Sequence, residues 1–401
     1  MNRFLFALFL LLVPAIYAAE PTGTLVGTIT DESGAAIAAA RVTAINIETN
    51  RTREMQTGAD GGFVFTLIPV GKYRVTVEAN GFHRYEQKGI ELSADQAATL
   101  PVRMQIGSLT ESVEVTSNAQ MIETRSAALS SVVNQHKIIE LPLDGRNAAS
   151  LILLAPGAVD LNAGNAGGSG DTQQTVTYPS SVSISANGGR ADSINYNMDG
   201  GSNQDTYTNV NNPFPNPDAV EEFSVQTNSF SAEYGRGSGA IVNVVTKSGT
   251  NDFHGSLFEF FRNGVLNARN FFAEDHDLLK RNQFGGSLGG PIVRNKLFFF
   301  GTYQGAQIRN VQSGNSATVL TAAERGGDFS SISSQLVNPY TREPYPGNIV
   351  PSSQFDPVSV KLLQAIPVSA SPDGIIRYDL PIDQRDNQYL GRVDYLTGNQ
   401  R

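Results

Sequence analysis

The 401-residue chain contains no cysteine and no tryptophan, and only four histidines and five methionines. The missing cysteine excludes disulfides and thiolate chemistry and leaves the redox compartment unmarked. Histidine is too sparse to build a metal centre: His83, His136, His254 and His276 lie far apart and none sits in a ligand motif, so each reads as a surface or packing residue. Positive charge is also short, with 29 Lys plus Arg against 38 Asp plus Glu and a net charge of -9. A nucleic-acid partner, which needs a basic face, is excluded on that ground. No apolar run reaches the roughly 20 residues of a membrane-spanning helix. Any membrane insertion beyond the N-terminus would therefore use strands.

What the chain does have is 39 Gly, 19 Pro, 21 Phe and 13 Tyr, a mixture that favours short strands and many turns, so the fold class expected is mainly β. The N-terminus has the layout of a secretory signal peptide over residues 1–19. Arg3 supplies the positive start, residues 4–13 are apolar, and small residues follow at Ala15, Ala18 and Ala19. The export this implies is the first indication of compartment.

Residues 20–105 read as a small β-sandwich. Alternating segments at 24–30, 41–47, 63–67 and 73–79 are separated by turn signals at 31–34, at Asp60-Gly61-Gly62 and at 69–71. The pattern carried by Gly27, Asp31, Gly34, Val42, Asp60, Gly62, Phe63, Gly71, Tyr73, Gly81 and Phe82 resembles the carboxypeptidase regulatory-like domain. That family's fold is grouped with carbohydrate-binding-like sandwiches and mostly serves as an accessory module. Ala38-Ala39 stands where the family commonly has a proline-glycine pair before the second strand. After a linker at 105–108, residues 109–117 (LTESVEVTS) alternate as a short strand. Two readings follow: a terminal or edge strand, and an extended segment that adds to another protein's sheet edge.

Residues 109–249 mix strands with short helices. Asn134 is placed to cap a helix over 135–140, and a second apolar helix is expected over 148–154, ending at Pro156-Gly157. Residues 157–170 read as a flexible excursion. Strands resume at 182–186 and 193–198, with a turn at Asp199-Gly200. Residues 218–222 read as one helical turn with Glu221 and Glu222 solvated on different faces, before a strand at 223–227. Asp199, Asn203 and Asp205 lack the glycine and terminal glutamate of a calcium loop. Gly235, Arg236, Gly237, Ser238 and Gly239 lead into a strand at 240–246 instead of opening a helix, so a phosphate cradle is not expected. No acid, base, nucleophile or metal constellation emerges; neither enzymatic activity nor a cofactor is expected.

The run from Asp192 through Asp199-Gly200 and AVEEF to SAEYGRGSGAIVNVVTKSGTN resembles the plug domain of a TonB-dependent outer-membrane receptor. The segments HGSLFEFFRN, NARNFF and RNQFGGSLGGPIVRNKLFFFGTYQG resemble the first barrel strands of the Oar-like branch. The resemblance implies an N-terminal β-sandwich (20–105), an α/β plug domain (109–249) and the first strands of an incomplete transmembrane β-barrel (250–401) in the cell outer membrane. It further implies a TonB box at Glu111, Ser112, Val113, Glu114 and Val115, the segment pulled by TonB when the plug is displaced. The partners implied are TonB, outer-membrane lipid and an external ligand, with carbohydrate and siderophore both open. Independently, Gln388, Arg392 and Asp394 alternate with Tyr389, Val393 and Tyr395, and Gln283 and Ser287 with Phe284 and Leu288. This is the dyad pattern of a barrel wall, which a soluble sandwich shares. Phe258, Phe260 and Phe298, Phe299 and Phe300 suit an interfacial girdle, and residues 313–381 an extracellular loop. A plugged barrel of about 22 strands needs on the order of 220 wall residues, more than follow Asn251, so a truncated product is expected. Two other readings stay open: a non-transporting surface or adhesion protein, and a carbohydrate-binding accessory protein.

Overall fold

The computed structural model describes residues 21–107, 112–116, 128–161, 184–207, 209–230, 234–235, 237–269 and 278–397. The expected signal peptide, Glu111, His276 and most of the 157–170 excursion lie outside these residues. The chain divides into two compact units. One comprises Met1–Phe258, Gly285–Gln304 and Asn387–Arg401; the other comprises Glu259–Phe284 and Gly305–Asp386.

The first unit opens with eight strands: β1 Thr22–Thr30, β2 Arg41–Asn46, β3 Thr52–Gln56, β4 Gly62–Pro69, β5 Gly71–Glu78, β6 Arg84–Leu92, β7 Ala97–Arg103 and β8 Ser112–Thr116. They form sheets of order β4-β1-β7 and β3-β2-β5-β6-β8. Inward alternate residues of both sheets, among them Leu25, Ile29, Val42, Phe63, Phe65, Val75, Val77, Leu100 and Val102, make one buried cluster. Burying each such side chain contributes about 1.5–3 kcal/mol. β1 pairs antiparallel with β4 and parallel with β7. Gly27 is where three elements crowd: a Cβ there would lie 2.1 Å from the Leu100 carbonyl oxygen and 2.4 Å from the Phe63 ring. The turn after β1 is organised by Asp31, whose carboxylate accepts from the Ser33 hydroxyl and from the backbone N–H of Ser33 and Ala35. These bonds hold its pKa below the ordinary aspartate value.

Ala39 occupies the left-handed region at φ 56°, a conformation that costs an L-residue about 1–2 kcal/mol. Glycine would relieve that strain at an entropic cost of about 0.5–1 kcal/mol. Ala39→Gly is therefore expected to stabilise the sandwich by roughly 0.5–1 kcal/mol. Native-state hydrogen exchange of β2 and β5 amides in the full chain measures it; an unchanged or lowered opening free energy would count against the strain.

The central module contains β9 Leu129–Asn134, α1 Gln135–Glu140, β10 Ala158–Asp160, β11 Ile184–Ala186, β12 Ile194–Met198, β13 Gly201–Ser202, β14 Val220–Asn228 and β15 Ala240–Thr246. Its main sheet has the order β13-β12-β15-β14-β9, and β10 pairs with β11. Asn134 caps α1 as expected, its side chain accepting from the Lys137 N–H at 3.3 Å. The segment Ala148–Leu154 is helical but wound as 3₁₀, with Asn147 as its cap. Part of the expected excursion is ordered instead, because residues 158–160 pair with 184–186. β15 is buried along its whole length, since β12 and β14 flank it on both edges.

The helical turn expected over 218–222 is not formed. A 3₁₀ turn covers Pro217–Ala219, and Val220 already begins β14. Glu221 and Glu222 are thus neighbours in a strand, where the β14–β15 register shifts between Val220 and Glu222. Glu222 is 6% exposed, so the solvated reading is corrected.

β16 His254–Asn263, β17 Lys280–Val293, β18 Leu297–Thr318 and β19 Ile375–Tyr395 form a four-stranded sheet in sequence order. The expected alternation is present in β19: Tyr389, Val393 and Tyr395 are exposed, while Arg392 and Asp394 are half-buried. Two of the five girdle phenylalanines go the other way, since Phe298 and Phe300 are buried at 1% and 2% exposure. They share the inward face of β18 with Thr302 and Gln304, because residues two apart face the same side. The expected loop over 313–381 is shorter than supposed, because β18 runs to Thr318 and β19 starts at Ile375.

Within the second unit that loop has its own structure. It contains α2 Ala322–Arg325, opened by a reciprocal Thr321–Glu324 capping box, and α3 Pro357–Leu363, capped by Asp356. The Arg325 guanidinium donates to the carbonyls of Leu320, Leu363, Ile366 and Pro367 at 2.7–3.2 Å. It thereby satisfies backbone acceptors at and beyond the end of α3.

Candidate functional site

Two arginines tie the central module to strands β16, β18 and β19 within the first unit. Arg146 follows Gly145 in a turn where both residues are left-handed, at φ 55° and 63°. Burial pulls its guanidinium below the usual arginine range, and the Asp218 charge pushes back. Arg146 Nη2 donates to Asp218 Oδ2, and Nε donates to Gln304 Oε1 at 3.1 Å. The guanidinium carbon also lies 4.2 Å from the centre of the Phe258 ring. Asp218 in turn accepts from the Ser256 hydroxyl at 3.0 Å. Asn216 adds a bond from its Nδ2 to the Thr302 hydroxyl at 3.3 Å. Ser256 and Phe258 belong to β16, and Thr302 and Gln304 to β18. The side chains of Arg146 and Asp218 are 11% and 7% exposed, so this ion pair is largely shielded from solvent screening.

The second link starts from β19. Arg392 Nη1 donates to the Thr246 carbonyl at 2.9 Å and to its hydroxyl at 3.2 Å, and lies 3.6 Å from Asp199. Its Nε is held by both oxygens of Asp394 at 2.9 and 3.0 Å. Asp199 sits at φ 48° in the turn after β12 and accepts from the Thr246 N–H at 2.8 Å and hydroxyl at 2.7 Å. The end of β15 is therefore gripped by a turn on one side and by a β19 residue on the other. Asp199, Asn203 and Asp205 do not converge: Asn203 donates to the Asn212 carbonyl and Asp205 caps the Tyr207 N–H.

The sandwich meets the central sheet through acidic side chains. Glu222 accepts the Ala94 N–H at 3.0 and 3.2 Å. Burial, with smaller contributions from Asp95 and Glu221, raises its pKa from 4.5 to about 7, against the lowering effect of the Ala94 and Ser93 bonds. Asp95 accepts from Asn243 Nδ2 at 2.7 Å, and Asn197 Nδ2 donates to Asn243 Oδ1 at 3.0 Å. A cleft of about 380 Å³ lies here, bordered by Asp95, Asn195, Asn197, Asn243, Val244 and Val245 among others. Among the described residues no group of three or more acidic or histidine side chains is placed to hold a metal ion.

Of the expected TonB box, Ser112, Val113, Glu114 and Val115 lie in β8, and Glu111 lies outside the described residues. β8 pairs in parallel with β6, Ser112 opposite Arg84 and Val115 opposite Gln87. The candidate box is not brought together with the arginine links. No local signal in the sequence pointed to Arg146, whose partner is 72 residues away. Arg392 was legible as a polar-face residue, but its target was not.

The outer membrane beta barrel domain matches residues 245–401, and the carboxypeptidase regulatory-like domain matches residues 24–105. With the mainly β fold, these matches make the chain similar to outer-membrane β-barrel proteins over its last part and to the regulatory-like domain over its first. More particularly, the chain is homologous to TonB-dependent transporters and receptors. It is 28% identical over 296 residues to the TonB-dependent transporter Oar of Myxococcus xanthus, covering 70% of this chain and 26% of that protein. It is 29% identical over 122 residues to the TonB-dependent siderophore receptor PirA of Acinetobacter baumannii, covering 30% and 15% respectively. The crystal structure of PirA aligns with 47% of this chain and 29% of its own, at 20% identity and a TM-score of 0.32. The chain thus spans about a quarter or less of the length of these curated relatives. The outer membrane beta barrel match supports an outer-membrane location.

Proposed function

We propose that this chain forms the N-terminal part of a TonB-dependent outer-membrane transporter. Residues 1–19 direct export, residues 109–249 act as the plug, and residues 250–401 supply the first strands of the wall. The ligand is an external solute, a siderophore being the class named for PirA. The partner is TonB, which adds a strand to Glu111, Ser112, Val113, Glu114 and Val115 and pulls. The observation that carries this reading is the pair of arginine links, Arg146 to Asp218 and Arg392 to Asp199 and Thr246. They join a separately cored module to wall strands through polar contacts that water can replace once they are exposed. A plug has to be held in this way if it is to be held firmly at rest and displaced under force without unfolding the wall.

Deleting residues 111–115 from the full-length protein is expected to abolish energised uptake while leaving ligand binding at the cell surface intact. Uptake of labelled ligand with and without a proton gradient measures it. Uptake that continues unchanged refutes the assignment of the coupling segment.

A further inference from the structure

The structure gives β8 a neighbour that a free coupling segment would not have. β6 pairs antiparallel with β5 on one edge, and its other edge, Arg84 to Lys88, pairs with β8. The approach to that edge is prepared. After β7 the chain turns back along the segment before β6: Phe82 and Ile106 form a bridge, the His83 N–H bonds the Gln105 carbonyl at 2.9 Å, and the Gly107 N–H bonds the Gly81 carbonyl at 3.0 Å. Gly107 runs against the His83 ring, where a Cβ would come within 2.1 Å of ring atoms, so only glycine passes here without displacing the ring. The chain is therefore anchored at Gly107, with four residues between it and the start of β8 at Ser112. A tether this short gives β8 an effective concentration on the order of millimolar at the β6 edge, with little loop-closure entropy to overcome. The far limit of the pairing is also built in. The β5–β6 register shifts around Gly89, which has φ 75°, and the β8 ladder stops at Lys88 just before it. What results is a bounded slot for one five-residue strand.

We propose that the β6 edge of the sandwich is a docking surface for the chain's own coupling strand, and that an incoming strand of TonB must displace it. This rests on the coupling role proposed above for residues 111–115. Parallel pairing over five residues is short and slightly weaker per residue than antiparallel pairing, so the docked strand is releasable. Its intramolecular advantage still lowers the apparent affinity of the external strand by the fraction of chains in which β8 is free. The sandwich thereby sets how readily the transporter engages its energy source, independently of any ligand the sandwich holds.

The absence of cysteine makes a direct test possible. Glu86 and Glu114 are Cα partners in the register, so a full chain carrying both Glu86→Cys and Glu114→Cys is expected to form an intramolecular disulfide on mild oxidation, whereas Glu54→Cys with Glu114→Cys is not. Binding of the purified periplasmic domain of TonB to the oxidised chain in detergent is expected to fall at least about tenfold and to recover with reductant. Failure of the Glu86/Glu114 pair to cross-link overturns the docking, provided that the reduced variant binds the TonB domain as the parent does. A cross-linked chain that binds undiminished overturns the competition and means that the external strand adds to the outer edge of β8. If the parent and the variant lacking 111–115 bind the TonB domain equally, the coupling role itself fails, while cross-linking still reports separately on docking.

Discussion

Arg146→Ala is expected to destabilise the protein by about 3–5 kcal/mol, the usual cost of removing one partner from a buried ion pair. The loss leaves Asp218, 5% exposed, with the Ser256 hydroxyl but without its cation. It also removes the bond to Gln304 and the contact with the Phe258 ring. Part of the cost is offset, because alanine carries no charge to desolvate, but the left-handed backbone at position 146 stays strained. Asp218→Asn keeps the acceptor for Ser256 and removes the stranded charge. Arg146→Ala with Asp218→Asn is therefore expected to cost less than the sum of the two single changes, with a coupling energy of at least about 1 kcal/mol. Urea titration of the four proteins in detergent gives that cycle. Strict additivity would mean that the pair contributes nothing beyond its separate contacts. If the arginine links hold a plug, Arg146→Ala should also raise solute leakage in liposomes.

Glu222→Gln is expected to change how stability depends on pH. The folded-state pKa of Glu222 is raised from 4.5 to about 7, first by burial and then by Asp95 and Glu221. Between those values the folded protein keeps a proton that the unfolded chain has released, so stability falls as pH rises from about 4.5 and levels off above about 7. The difference of about 2.5 pH units corresponds to roughly 3 kcal/mol. Glutamine is neutral throughout, and its amide oxygen still accepts from the Ala94 N–H. The variant is expected to lose this part of the slope and to be more stable than the parent at pH 8, with little gain at pH 4.5. Subtracting the two profiles removes the titration of carboxylates common to both proteins. A difference independent of pH would show that Glu222 does not titrate in this range.

The legible and the hidden parts of the fold differ in how far apart the deciding residues lie. The turn at 31–34, Asn134 as the cap of α1, and the alternation of 388–395 were all readable because each is settled within a few residues. The pair Glu221 and Glu222 misled because two adjacent glutamates after Pro217 and Asp218 suit a helix start by local preference. The chain instead enters a strand that β9 and β15 hold on both edges, and tertiary pairing overrides a weak local preference. The long loop was read as turns because its proline and asparagine punctuation is local. The Arg325 bonds that order it reach residues 38 to 42 positions away and left no trace in the pattern.

By itself, then, the sequence determined the alternating strands, the turns, the lack of thiol and basic-face chemistry, and the resemblance of the sandwich and wall segments to a receptor. Each depends on composition or on neighbours along the chain. Tertiary structure decided that β1 joins β7 and β12 joins β15 in parallel, that β8 lies on β6, that Glu222 is buried against Ala94, and that Arg146 and Arg392 reach Asp218 and Thr246. Those outcomes rest on sheet-edge pairing and on the burial of charge between distant segments. Both become favourable only once the backbone has brought together groups separated by as many as 146 residues, a separation over which local propensity carries no information.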